Sequence, residues 1–313
     1  MKRRDFMSQA GLLAGTLIVP APLWRAGASP NASRLFHDFG SVRIGVITYS
    51  FRSMPSTVDD LLGYLVKLGL HTVELMGEPV EAFAGAPEGP PFQRSPLTDA
   101  QQAERKAYAE ELRKWRTSVP MDKFKQLRKK FDGEGVNIDI VKFRLDRMSE
   151  EELNYSFRVA RELGAGGITL ERSDEAVKKL APYADKNKMR IGYHNHAEVN
   201  FNSWDAALTY SPYNAINLDV GHYVAGTNES PIPLIKKHHD RILNLHLKDR
   251  KKDNGDNVPW GQGDTPLREI LQLMKTENYK FMAAIELEYP IPDGSDALKE
   301  VQKCIAFCQE ALA

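Results

Sequence analysis

Short β-rich runs alternate with longer helical patterns along most of this chain, and eight such runs can be counted. They are RIGVITYSF (43–51), HTVELM (71–76), VNIDIVKF (136–143), GGITLE (166–171), RIGYHNH (190–196), AINLDV (215–220), ILNLHLKD (242–249) and MAAIELEY (282–289). The intervening segments, such as TVDDLLGYLVKLGL, SEEELNYSFRVARELG and TPLREILQLMKTENY, carry apolar residues at helical spacing. Ser149 and Glu152 form a capping box at one helix start, and Gly164 follows that helix's last turn. Eight strand–helix repeats over about 250 residues predict an α/β fold, a single-domain (β/α)8 TIM barrel. A doubly wound sheet is the runner-up, but no glycine-rich phosphate turn follows the first strand.

The interval from Gly77 to Gly135 breaks this rhythm. It opens with the Pro- and Gly-rich GEPVEAFAGAPEGPPFQRSP and continues through charged helical sequence, AERKAYAEELRKWRT and MDKFKQLRKKF. A long segment after a barrel strand emerges on the catalytic face. This insertion is expected to cover that face, with Trp115 or Phe92 available to stack on a substrate.

Residues 1–28 are set apart from the fold. MKRRDFM brings the paired arginines Arg3 and Arg4, with Phe6 close behind, and the apolar AGLLAGTLIVPAPL and then RAGA follow. That order is expected to be a twin-arginine export signal, cut after Ala28, leaving residues 29–313 as the barrel. The apolar run falls short of the roughly 20 residues a membrane span needs. The expected location is therefore periplasmic or extracellular, reached through the twin-arginine export machinery, with no stable membrane association after cleavage.

The 42 basic and 42 acidic residues balance, and without the signal a slight negative charge remains. Nothing there favours nucleic acid or anionic lipid as a partner. Cys304 and Cys308, four apart in a helical pattern, read as helix packing rather than as a disulfide. Assembly into a homo-oligomer is compatible with the sequence.

The strand ends carry the chemistry. Strand four ends in Glu171, strand five in His194-Asn195-His196, strand six in Asp219 with His222. Strand seven ends in His246, Lys248 and Asp249, and strand eight in Glu286 and Glu288. In a barrel these ends converge on one site, and so many polar groups pointing inward are costly without partners. A divalent metal ion satisfies several at once. Individually each has a bland role: Asp219 as a helix N-cap, Glu288 as a partner of Lys248, Asp264 as an N-cap ahead of Pro266. His238 and His239 read as a solvated helix end.

The motifs GYHNHAE, NLDVGHYVAGT, LHLKDR with VPWGQGD, and IELEY resemble the xylose-isomerase-like barrel superfamily, in particular its sugar phosphate isomerase/epimerase group. The resemblance covers roughly residues 43–313 and implies one divalent ion, Mn, Mg, Co or Zn, held by residues of the late strands. Asp219, His246 and Glu286 match three of its ligands. Several relatives place a glutamate where this chain has His194, so the fourth ligand is expected to be Glu171, with His194 or His196 as alternatives. The implied chemistry is proton abstraction α to a carbonyl that the ion polarises. His194, His196 and Glu288 are the candidate bases. His222 and Lys248 are expected to bind substrate oxygens, and Trp260 to cap the sugar. The expected activity is isomerisation or epimerisation of a keto sugar. The alternatives are β-elimination or hydration of a 3-keto-glycoside, and a non-catalytic sugar-binding barrel.

Overall fold

The computed structural model describes residues 36–91 and 96–313, so the expected export signal and Phe92 lie outside the described residues. The elements are β1 (Arg43–Ile47), α1 (Val58–Lys67), β2 (Thr72–Met76), α2 (Gly77–Phe83), α3 (Asp99–Ser118), α4 (Asp122–Gly133), β3 (Asn137–Lys142), α5 (Glu150–Leu163) and β4 (Gly167–Glu171). They continue with α6 (Asp174–Asn187), β5 (Arg190–His194), β6 (Asn214–Asp219), α7 (Val220–Thr227), α8 (Ile232–His238), β7 (Ile242–Leu247), α9 (Leu267–Thr276), β8 (Met282–Ile285) and α10 (Ala297–Leu312). Each strand pairs in parallel with the next, and β8 pairs with β1, closing the (β/α)8 barrel that the alternation predicts. Among the described residues no helix is long and apolar enough to cross a membrane.

Local signals place the elements. The Ser149–Glu152 capping box is formed at the start of α5, and Gly164 ends that helix at φ 77°, a left-handed turn that glycine adopts without strain. Inside the barrel, Ile140, Met282 and Ala284 pack with Leu243 into a small apolar plug. Residues two apart on a strand share a face, so Glu286 stands above Ala284 and Met282 on β8. The larger apolar core lies between strands and helices and includes both cysteines, which are free. Burial pushes the Cys304 thiol up to about 12, as expected of packing residues rather than reactive thiols.

Three local expectations are corrected. The first strand stops at Ile47, and Thr48–Phe51 forms a 3-10 turn. There Thr48 accepts from Met76 N (3.0 Å), while Ser50 donates to Ile285 O (3.1 Å) and accepts from Leu287 N (3.0 Å), tying the barrel seam. Asp264 does not cap α9, whose N-cap is Pro266; its carboxylate accepts from Lys252 N instead. His238 is buried beside Asp205 (3.2 Å) rather than solvated.

The insertion forms α2, α3 and α4. Helix α3, 20 residues and so about 30 Å long, is fastened by one side chain near its end. Arg116 donates to both carboxylate oxygens of Glu81 on α2 (2.8 and 2.9 Å) and to Glu152 at the start of α5 (2.9 Å). Trp115 packs edge-on against Tyr155, 6.0 Å between ring centres, which places its ring on the core rather than on a substrate. All three members of the Arg116 clamp are largely buried, so Arg116→Met leaves two uncompensated carboxylates. Denaturant unfolding should show a loss of about 3–5 kcal/mol, the usual cost of breaking a buried ion pair from one side. A loss under about 1 kcal/mol would show that the clamp is solvated in solution.

Candidate metal centre

The strand ends converge as the barrel requires. Donor atoms of His194, Asp219, His246 and Glu286 all lie within 4.8 Å of one another, and all four residues are buried. A second group, Glu171, His194 and His196, adjoins it on the open side. His194 therefore stands with Asp219, His246 and Glu286 in the place expected for Glu171. The reason is competition for the Glu171 carboxylate. Lys142 Nζ donates to one of its oxygens (2.8 Å), and His196 Nε2 lies 2.9 Å from the other. Against the effect of burial, the hydrogen bond with His196 and the charge of Lys142 hold the Glu171 carboxyl down at about 2.

His246 is the pivot of the inner group. Its Nδ1 lies 3.0 Å from Glu286 Oε2 and its Nε2 lies 2.7 Å from Glu74 Oε2. These two carboxylates outweigh burial and raise the imidazole to about 10, so without an ion both nitrogens carry protons and donate. Glu74, on β2, is fully buried and also accepts from Thr169 Oγ1 (2.5 Å) and Asn244 Nδ2 (2.7 Å). Sequence reasoning missed Glu74 because it lies in mid-strand rather than at a strand end. The available signal was a lone carboxylate inside a run otherwise fit for burial. Lys142, the last residue of β3, also belongs to the site through its ion pair with Glu171.

Asp219 has two jobs. Its Oδ1 accepts from His222 N (2.7 Å) and caps α7, while its Oδ2 is buried against the Lys248 ammonium, 2.9 Å away. Asn195 clamps the same residue's backbone, accepting from its N–H (2.9 Å) and donating to its carbonyl (3.1 Å). The turn into α7 is tight: a Cβ on Gly221 would sit 2.6 Å from Lys248 O, so only glycine fits against β7 there.

Lys248 supplies the balancing charge. Its ammonium lies 2.9 Å from Asp219 Oδ2, 3.0 Å from Glu286 Oε2 and 2.5 Å from Glu288 Oε2. Those carboxylates overcome burial and raise its pKa. His222 lies between this ammonium (Nε2, 3.1 Å) and the Arg250 guanidinium (Nδ1, 2.7 Å). Burial, then the Lys248 charge, lowers His222 to about 3, so it is neutral and can accept from only one of the two. His196 stacks on it at 4.8 Å and is more than half exposed at the mouth.

Two expected site residues lie elsewhere. Asp249 accepts from the backbone N–H groups of Gly261, Gly263 and Thr265 and shapes the loop after β7. Trp260, on that loop, packs edge-on against Phe307 of α10 at 5.6 Å, so the structure sets it against the outer helix rather than over the cluster.

The inner group fits a divalent ion. Two carboxylates and two imidazoles make a suitable donor set, and His194 Nδ1 is buried without a hydrogen-bond partner. With one His246 nitrogen given to an ion, the bond to Glu74 through Nε2 would orient the ring, as outer carboxylates do at many metal sites. Lys248 would then keep Glu288 as its own partner. Alanine at Asp219 or His246 should abolish zinc or manganese binding measured by calorimetry, and Glu74→Gln should weaken it about 10–100-fold. His194→Gln should weaken binding more than Glu171→Gln; the reverse order would restore Glu171 as the fourth donor.

A family model described as Xylose isomerase-like TIM barrel matches residues 62–309. Among curated proteins, the inosose dehydratase of Clostridium tetani is 25% identical over 167 residues, 44% of this chain and 53% of that protein. The inosose dehydratase of Clostridium botulinum is 27% identical over 137 residues, 42% of this chain and 40% of that one. The chain thus spans about half the length of the curated relatives it matches. Among solved structures, the probable 3-DHS dehydratase of Bacillus anthracis superposes with a TM-score of 0.60 at 13% identity, over 85% of this chain and 99% of that one. A sugar phosphate isomerase/epimerase from Parabacteroides distasonis gives 0.55 at 17% identity, over 92% and 97%. At those identities the structural likeness shows the fold. The match over residues 62–309, together with the closed eight-stranded barrel, places this chain in the xylose isomerase-like TIM barrel family.

Proposed function

We propose that this protein is a divalent-metal-dependent enzyme that removes the proton α to the carbonyl of a keto sugar or keto-glycoside. One observation carries the reading: an imidazole paired with a carboxylate, His196 with Glu171, stands at the mouth of a buried His–Asp–His–Glu group. A divalent ion held by Asp219, His246, Glu286 and His194 would polarise a carbonyl and the adjacent hydroxyl and stabilise charge developing there. The protein's own groups do the rest. His196 donates through Nε2 to Glu171, a hydrogen bond that raises the imidazole's pKa and makes Nδ1 the nitrogen that takes the α-proton. Lys248, held protonated by its three carboxylates, donates to a substrate oxygen, and His222 orients a second one. Glu288 keeps the Lys248 ammonium turned toward the mouth rather than acting as the base.

Of the possible outcomes, β-elimination is favoured. The two curated relatives described above are inosose dehydratases, and dehydration starts with this same proton abstraction. His196, once protonated, would return its proton to the departing oxygen as the C–O bond breaks. Isomerisation or epimerisation is the second reading, supported by the xylose isomerase-like family description, and it shares the first step. We also propose that the protein acts outside the cytoplasm, as Arg3, Arg4 and the apolar run suggest. Changing both arginines to lysine should trap the full-length chain inside the cell; undiminished export would refute that assignment.

The function is tested by solvent-deuterium incorporation into inosose and 3-keto-glycosides, with products followed by mass spectrometry. His196→Gln should keep the ion yet slow exchange by about 10²–10⁴-fold, the usual share of a general base. Exchange at the normal rate in that variant would remove His196 from the mechanism. Absence of exchange from every keto compound would leave a binding protein.

A further inference from the structure

Between α3 and the stretch that follows β3 runs an open cleft of about 800 Å³, within the size range of small-ligand sites. Its floor includes Leu112, Phe143 and Met148, and Tyr108 forms part of one wall. The walls are rich in cations. Lys106 and Arg113 come from α3, and Arg144 and Arg147 face them from the segment after β3. Helix α3 gives the lining more cations than acids: Arg105, Lys106, Arg113 and Arg116 against Glu110.

The acids present do not cancel this charge. Glu81 and Glu152 are taken by Arg116, which leaves Glu78 and Glu110 on the lining. Among the described residues, Arg113, Arg144 and Lys106 have no carboxylate within ion-pair distance, and Arg147 reaches Asp146 only at 3.7 Å. The cleft also adjoins the reaction centre. Lys142 lines it and donates to Glu171, whose other oxygen holds His196.

We infer that this cleft seats an oxyanion, a carboxylate or a phosphate, carried by the part of the substrate remote from the reacting carbonyl. Facing guanidinium groups suit planar or tetrahedral oxyanions, and an aromatic wall suits the sugar ring that bears one. The substrate class is then an anionic glycoside long enough to reach from the centre past Lys142. This inference rests on the sugar-processing reading above and narrows its substrate.

The test is calorimetric titration of the purified protein, at low ionic strength, with methyl β-D-glucuronide, glucose 6-phosphate and neutral methyl β-D-glucoside. At least one anionic probe should bind about tenfold more tightly than the neutral one, and salt should erode that advantage. Arg113→Gln with Arg144→Gln should abolish the advantage while leaving affinity for the neutral probe unchanged. Preference between glucuronide and phosphate identifies the anion. Equal affinity for charged and neutral probes, or an advantage that survives in the double variant, overturns the inference. Deuterium exchange on neutral keto sugars by the double variant separates the two claims. Retained exchange without an anion preference sinks only the cleft; an anion preference without exchange from any keto sugar sinks the proposed reaction and leaves the cleft standing.

Discussion

A hydrogen-bonded chain from Glu74 through His246 to Glu286 crosses the barrel mouth from the second strand to the eighth, and the rest of the site is arranged around it. Two buried carboxylates in such proximity need positive charge between them. His246 provides some of it and Lys248 provides more, within 3.0 Å of both Asp219 and Glu286. The same geometry that stabilises the resting protein gathers two carboxylates and two imidazoles around one point. Neutralisation by a lysine and neutralisation by a divalent ion answer the same electrostatic need. Lys248 has Glu288 to fall back on when an ion takes its share of Asp219 and Glu286.

Charge also separates the roles of the two strand-five histidines. His194 is enclosed, its ring 4.7 Å from His246, and burial followed by the nearby Lys142 charge lowers its pKa strongly. It is suited to give a lone pair to an ion. His196, two residues on, leaves the strand, reaches the mouth and is held by Glu171. An imidazole with one nitrogen anchored by a carboxylate that raises its basicity, and the other nitrogen free, suits a proton-transfer group.

Much of the fold could be read from the chain because each signal was local. The period-two runs, the Ser149 capping box and Gly164 define elements from their own residues, and parallel closure then requires the strand ends to meet. Closure brought Asp219, His246 and Glu286 together with the other strand-end residues, and the family resemblance implied these three as ligands. What could not be read depends on partners distant in sequence. Glu171 was expected as the fourth ligand because its ion pair with Lys142, from another strand, leaves no trace in its own segment. Glu74 was hidden because its inward direction matters only once His246 is opposite it. Trp260 faces α10 because Phe307 is there, a contact that no spacing in its own loop announces.

The central claim is that one divalent ion belongs at the meeting point of strands five, six, seven and eight. A crystal structure of the protein with zinc, with the ion located from its anomalous scattering, tests this most directly. The account predicts a single strong peak about 2.0–2.2 Å from Asp219, His246, Glu286 and His194 donors, with the Lys248 ammonium turned toward Glu288. A peak held by Glu171 and His196 instead, or no peak at saturating zinc with Lys248 still between Asp219 and Glu286, would contradict it.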